Sequence, residues 1–226
     1  MEYFYLYIFI LLCFIIAVSY WTTINSNIES FNSDKQSFIL LGDSIFQNDA
    51  YVLDGKSVND LLLERTNGKT ICLAVDHSKI VDIYDQILKI PLDLNKPSTT
   101  IFLSAGGNDI LIHYVDQEND STNTNILGSM FSAYKNLIKS IKNKLPHANL
   151  VLLDIYYPEN LTYKQYHPII KEWNEMIYTY ANESKNNITS VVKISEILTK
   201  SDDFTLGIEP SSTGGQKLVE SIMSSY

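Results

Sequence analysis

Phe38-Ile39-Leu40-Leu41-Gly42-Asp43-Ser44 is the stretch on which the fold turns: an apolar run that stops at a glycine, a carboxylate and a hydroxyl. A strand with apolar side chains on both sides of its pleat is covered on both faces, the situation of a strand in a parallel sheet layered between helices. Ser44 then stands just past the strand's carboxyl end. In open α/β sheets that edge is where loops converge and ligands bind. Gly, Asp and Ser are also the commonest turn formers, so these residues alone leave an ordinary polar turn open.

Outward from this strand, apolar runs and helical spacings alternate. Val58 to Leu63 has a short helical pattern, and Thr70 to Val75 reads as a second buried strand. Ile80, Val81, Ile83, Tyr84, Ile87 and Leu88 recur at helical spacing until Pro91 ends the pattern. Thr99 to Ser104 is a β-branched third strand that runs into Gly106-Gly107-Asn108-Asp109. The spacing of Leu127, Met130, Phe131, Tyr134, Ile138 and Ile141 predicts one face of a long helix. Leu150 to Asp154 and Ser190 to Ile194 are strands four and five. Between them Tyr166, Ile169, Ile170, Trp173, Ile177 and Tyr180 line a helix whose aromatics read as core packing, and Leu218, Val219, Ile222 and Met223 form a last helical face. Five alternations predict an α/β fold: three layers, α/β/α, around a five-stranded parallel sheet with right-handed crossovers.

A chain of 226 residues suffices for one such domain and a separate N-terminal element. Its net charge of −9 and pI near 4.8 argue against a phosphate-binding surface, so no nucleic-acid partner is expected. Cys13 and Cys72 offer no disulfide framework within the globular part, and the redox compartment is not legible from them. Residues 1–21 are expected to form a single transmembrane helix: Tyr3 to Trp21 carries no charge and closes on Tyr20 and Trp21, side chains suited to the headgroup boundary. A retained anchor fits its length better than a signal peptide cleaved after Ala17-Val18-Ser19. Residues 22–36 are polar, Ser/Asn-rich and aperiodic, a tether to the domain at 37–226. Only Glu2 precedes the run and Lys35 is the first lysine after it, so charge does not set the orientation. Sequons at Asn119, Asn160, Asn182 and Asn187 are compatible with a lumenal or extracellular glycoprotein domain.

Three polar clusters follow successive strands: Gly42-Asp43-Ser44, Asp76-His77-Ser78 and Gly106-Gly107-Asn108-Asp109. The parallel order brings them to one sheet edge. A hydroxyl, glycine-freed backbone N–H groups and an Asn amide are the parts needed to attack an acyl carbon and hold the oxyanion. No spacing suits a metal and no glycine-rich loop suits a phosphate, so neither cofactor nor metal is expected.

These residues carry a resemblance. Leu41-Gly42-Asp43-Ser44 resembles the first block of the SGNH (GDSL-type) hydrolases, with its serine nucleophile; Gly106-Gly107-Asn108-Asp109 resembles the block whose Asn donates to the oxyanion; and Leu73-Ala74-Val75-Asp76-His77-Ser78 is similar to the second block, with His77 where that family has a glycine. The resemblance runs from Phe38 to the C-terminus and implies the flavodoxin-like SGNH fold. It breaks at the last block, where the family carries Asp-x-x-His-Pro-Ser and this chain reads Leu206-Gly207-Ile208-Glu209-Pro210-Ser211. Glu209 takes the histidine's place and Leu206 the aspartate's. With Gly214-Gly215 following, the change resembles a branch of the family that shares this ending.

A carboxylate accepts a serine proton without needing a tautomer fixed, but an unperturbed Glu is about two pKa units less basic than His. Glu209 is therefore either the base or a cap for the helix near Ser211. His77 is the best placed of the histidines to act instead; His113 and His167 lie on helical or peripheral segments, and His147 on a surface turn. The expected activity is that of a membrane-tethered esterase or acyl hydrolase acting through Ser44, Asn108 and Glu209 on a small ester or acylated glycan. The alternative is a catalytically silent domain of this kind that binds a glycan or a partner protein in the same cleft.

Overall fold

The computed structural model describes residues 14–16, 18–19, 36–113 and 120–224. Two compact units divide the chain, 1–35 and 36–226, and the candidate site lies in the second. Most of the apolar 3–21 run falls outside the described residues; among those described, no helix is long and apolar enough to cross a membrane.

Five parallel strands form the sheet: β1 (Ser37–Leu41), β2 (Thr70–Cys72), β3 (Thr99–Leu103), β4 (Asn149–Leu153) and β5 (Ser190–Val192), in the order β2-β1-β3-β4-β5. β1 pairs with β2 on one side, Phe38 opposite Thr70, and with β3 on the other, Leu41 opposite Leu103. The strand order reverses between β1 and β3, the topological switch point at which α/β sheets open a crevice. Both strands deliver polar loops into it.

Alternation along β1 explains both layers. Ile39 and Leu41 face a core shared with α2 (Ile83–Leu88), α4 (Asp120–Lys144) and α5 (His167–Asn182). Phe38 and Leu40 face a second core with α1 (Val58–Arg65) and α7 (Ser212–Ser224), through Val58, Leu62, Leu218 and Ile222. Each fully buried Leu, Ile or Phe contributes roughly 1.5–3 kcal/mol over its exposed state. Trp173 is buried as core, as the helical pattern predicts, edge-on to Phe131 with ring centroids 5.5 Å apart.

The elements depart from expectation at their ends. β2 stops at Cys72, although Leu73 and Val75 still donate to the Leu40 and Gly42 carbonyls, because β2 is an edge strand with β1 as its one neighbour. β5 stops at Val192 because Ile194 opens the short α6 (Ile194–Ile197). The α2 helix begins at Ile83, since residues 79–82 form a turn closed by Asp82 accepting from the Lys79 N–H at 2.9 Å. Not foreseen were α3 (Gly107–His113) and an antiparallel hairpin of β6 (Phe204–Thr205) and β7 (Glu209–Pro210).

Candidate active site

β1 ends in a backbone that admits only glycine: Gly42 has φ +144°, and a Cβ there would lie 2.3 Å from the Ser104 carbonyl oxygen. The chain then turns sharply, with Phe46 and Gln47 both donating to the Asp43 carbonyl at 3.1 Å, so that Ser44 sits on the turn's crest. Buried Gln86 clamps the entry. Its amide accepts from Gly42 N–H at 2.8 Å, donates to the Gly42 carbonyl at 2.7 Å and donates to Ser78 Oγ at 3.1 Å. The loops after β1 and β2 are thereby fixed to one another.

From the third strand, Gly106 takes φ +107° under Trp173, whose Cζ2 would stand 2.4 Å from a Cβ. That bend starts α3, with Asn108 in its first turn. The Asn108 amide spends one N–H on the Ser78 carbonyl at 3.0 Å, and neighbouring Asp109 accepts from Ile80 N–H at 3.0 Å. Burial pushes the Asp109 carboxyl above the ordinary carboxylate range. These two residues hold the second loop from the opposite side to Gln86.

Glu209 arrives on the hairpin. Tyr156 on the loop after β4 donates to the Ile208 carbonyl at 2.6 Å, and fully buried Asn48 donates to the Pro210 carbonyl at 3.0 Å, so the residues on both sides of Glu209 are pinned. Asn48 is itself held by Val58 N–H at 2.8 Å. The capping alternative for Glu209 does not hold: Ser211 caps α7, its Oγ accepting from Gly214 N–H at 3.1 Å. Leu206 sits at the hairpin tip, 73% exposed, and does not line the pocket.

Asp43, Ser44, Ser104, Asn108 and Glu209 share one pocket of ≈ 60 Å³, walled on the apolar side by Ile110, Ile155, Ile170 and Ile208 and by the rings of Tyr163 and Tyr166. Among the described residues, no Lys, Arg or His lines it. Burial pushes the Glu209 carboxyl up; the neighbouring Ser44 hydroxyl opposes this, the charge of Asp76 adds to it and His77 works against it. Glu209 Oε2 is buried with no hydrogen-bond partner among the described residues. Asp43 is pushed up to about 7 by burial, against bonds from Ile45 N–H at 3.1 Å and Ser104 Oγ at 3.2 Å, with the Glu209 charge raising it further. Asp154, also in the wall, is satisfied by Ser195 N–H at 3.0 Å, the Ser195 hydroxyl and the Tyr178 hydroxyl.

The structure thus brings together Ser44, Asn108 and Glu209. His77 does not line their pocket; its side chain is 79% exposed and lies 3.5 Å from Asp76 Oδ2. Its backbone has φ +60°, the left-handed geometry that glycine adopts without strain, so the histidine occupies a glycine's conformation. Sequence reasoning missed Gln86, Asn48 and Tyr156. Gln86 left a usable signal: a polar residue on the helical face of Ile83, Ile87 and Ile90, all buried. Among the described residues, no group of three or more His, Cys, Asp or Glu is placed to hold a metal ion.

No protein-family model and no curated protein sequence matches the chain. Solved structures do match. A member of the lipolytic G-D-S-L family from Veillonella parvula superposes with a TM-score of 0.62 at 17% identity, covering 84% of this chain and 98% of that one. The psychrotrophic esterase EstA from Pseudoalteromonas, in a structure inhibited by monoethylphosphonate, gives 0.60 at 15% identity over 84% and 96%. A family 3 carbohydrate esterase from Clostridium thermocellum gives 0.60 at 20% identity over 84% and 94%. With the sheet order, the glycine-ended first strand and the loops that meet at its switch point, these likenesses show that the chain has the SGNH hydrolase fold.

Proposed function

We propose that the protein is a serine esterase or related acyl hydrolase with Ser44 as nucleophile and Glu209 as general base. The observation that carries this is the convergence of Ser44, Asn108 and the half-buried Glu209 carboxyl in one pocket, where burial raises the proton affinity of that carboxyl. In the reaction the Ser44 proton passes to Glu209 as Oγ attacks the acyl carbon. The resulting oxyanion is met by the second N–H of the Asn108 amide and the Ser44 backbone N–H, donors that act where charge develops. Protonated Glu209 then gives its proton to the departing alcohol, leaving an acyl-enzyme. Water enters, Glu209 takes its proton, and attack on the acyl carbon frees the acid and restores Ser44. Burial supports the role of Glu209, since a carboxyl near its unperturbed value is a poor acceptor for a hydroxyl proton.

The substrate is a small ester or an acylated glycan. The apolar wall suits a short acyl chain and the Tyr163 and Tyr166 rings suit a sugar face; the Clostridium neighbour is a carbohydrate esterase. Residues 1–21 hold the enzyme on a membrane as a single-pass anchor, with the catalytic domain on the lumenal or extracellular side. The test is labelling by a fluorophosphonate across a range of pH. Labelling of the native protein that is lost in Ser44→Ala supports the enzyme. Folded protein that never labels is instead a silent domain that binds through the same cleft.

A further inference from the structure

The buried stripe that begins on α2 runs through Ile83, Ile87 and Ile90, and Gln86 stands within it, 1% exposed. An aliphatic side chain would suit that stripe, since burying an amide costs stability unless its polar atoms are paired. Gln86 pairs all of them outside its own helix. The side-chain oxygen accepts from Gly42 N–H at 2.8 Å, and the two amide hydrogens go to the Gly42 carbonyl at 2.7 Å and to Ser78 Oγ at 3.1 Å.

Those two partners lead to the two groups that would meet an acyl carbon. Gly42 lies two residues before Ser44, where β1 gives way to the turn. Ser78 is the residue whose carbonyl accepts from Asn108 Nδ2 at 3.0 Å. Hydrogen bonds thus run unbroken from the end of the nucleophile's strand, through Gln86 and Ser78, to the Asn108 amide. A second tie between the same loops is Ser104, whose hydroxyl donates to Asp43 Oδ1 at 3.2 Å. It reaches only the root of the Asn108 loop, whereas the Gln86 chain ends on the amide itself. We propose that Gln86 is a positioning residue for acyl transfer: acting through Gly42 and Ser78, it fixes the separation between the Ser44 hydroxyl and the Asn108 amide. The proposal rests on Ser44 being the nucleophile and Asn108 an oxyanion donor. A reacting carbonyl must meet both groups at once, and a misplacement of about 1 Å can cost a hundredfold in rate.

The test is kcat and KM for a neutral aryl acetate, expressed per site titrated with a fluorophosphonate, in the native protein, Gln86→Met and Ser78→Ala, and in each of these combined with Asn108→Ala. Methionine fills the glutamine's space without its hydrogen bonds. In Gln86→Met kcat per titrated site falls about tenfold to a hundredfold while KM stays within about twofold. Ser78→Ala removes a single bond of the chain and lowers kcat by about threefold, with KM again little changed. Where Asn108 is already alanine, both substitutions cost a smaller factor, because the amide whose place they disturb is gone. A side chain that only stabilises the fold changes the number of titrated sites and the melting temperature, not kcat per site. Native kcat per site in Gln86→Met, or equal factors with and without Asn108, overturns the proposal. Should Gln86→Met not fold, Ser78→Ala decides by the same two criteria. Native protein that does not label, or labels equally as Ser44→Ala, is a different failure: it removes the nucleophile, and the proposal with it.

Discussion

At Asn108, chemistry and folding come apart. One N–H of its amide ties down the Ser78 carbonyl, a bond of about 1 kcal/mol, and the other is the donor we propose for the oxyanion. We expect Asn108→Ala to lower kcat about a hundredfold to a thousandfold, with a loss of about 1 kcal/mol in stability; steady-state kinetics and urea melts measure the two separately. Undiminished turnover would take Asn108 out of the oxyanion site. Asp43 makes the opposite case, in which the effect is on stability. Its carboxyl is raised from 3.8 to about 7, mainly by burial. The folded state therefore binds this proton more tightly than the unfolded state. The stability it contributes is complete below about pH 4 and is lost as pH rises through about 7. Asp43→Asn keeps an acceptor for Ile45 N–H and the Ser104 hydroxyl but cannot ionise. Relative to the native protein it should gain stability between about pH 4 and 8, as read by thermal melts across that range; a constant difference between the two would show that Asp43 is not held protonated.

Among the elements, the β6–β7 hairpin is the one on which the site depends most and the one with the plainest local defect. Its two central residues, Leu206 at φ +50° and Gly207 at φ +84°, take the positive angles of a type I′ turn, closed by Ile208 N–H to the Thr205 carbonyl at 3.2 Å. Glycine accepts that geometry. Leucine does not: the left-handed conformation costs an L-residue roughly 1–2 kcal/mol, and the exposed side chain recovers little of it by burial. Leu206→Asn creates the Asn-Gly pair that such turns favour, and we expect it to raise stability by about 0.5–1 kcal/mol with kcat unchanged, since position 206 lies outside the pocket. A lower melting temperature would mean that the Leu206 side chain has a packing role its exposure conceals.

For the whole molecule, the sheet, both cores and the pocket all belong to the unit that starts at residue 36. A chain starting at Ser33 should therefore stay soluble without detergent and melt at the temperature of the full-length protein. Aggregation of the shortened chain would place the apolar N-terminal run within the fold. Reading along the chain sufficed for β1, for the alternation of strands and helices, and for the place of Ser44 and Asn108 in loops after the strands, because burial on both faces imposes apolar residues at every strand position and a strand's end is marked by the glycines its turn requires. The helical faces of α4 and α5 were equally legible, since one buried stripe repeats every third or fourth residue. Glu209 was legible as a departure from the family resemblance and as a candidate base, but the hairpin that carries it was not legible at all. Its strands are two residues each, too short to have a period. What holds it is long-range: Tyr156 reaches Ile208 across 52 residues and Asn48 reaches Pro210 across 162. Gln86 belongs with these. It is a polar side chain whose partners are chosen by strand order and loop convergence, and no local pattern of hydrophobicity records that choice.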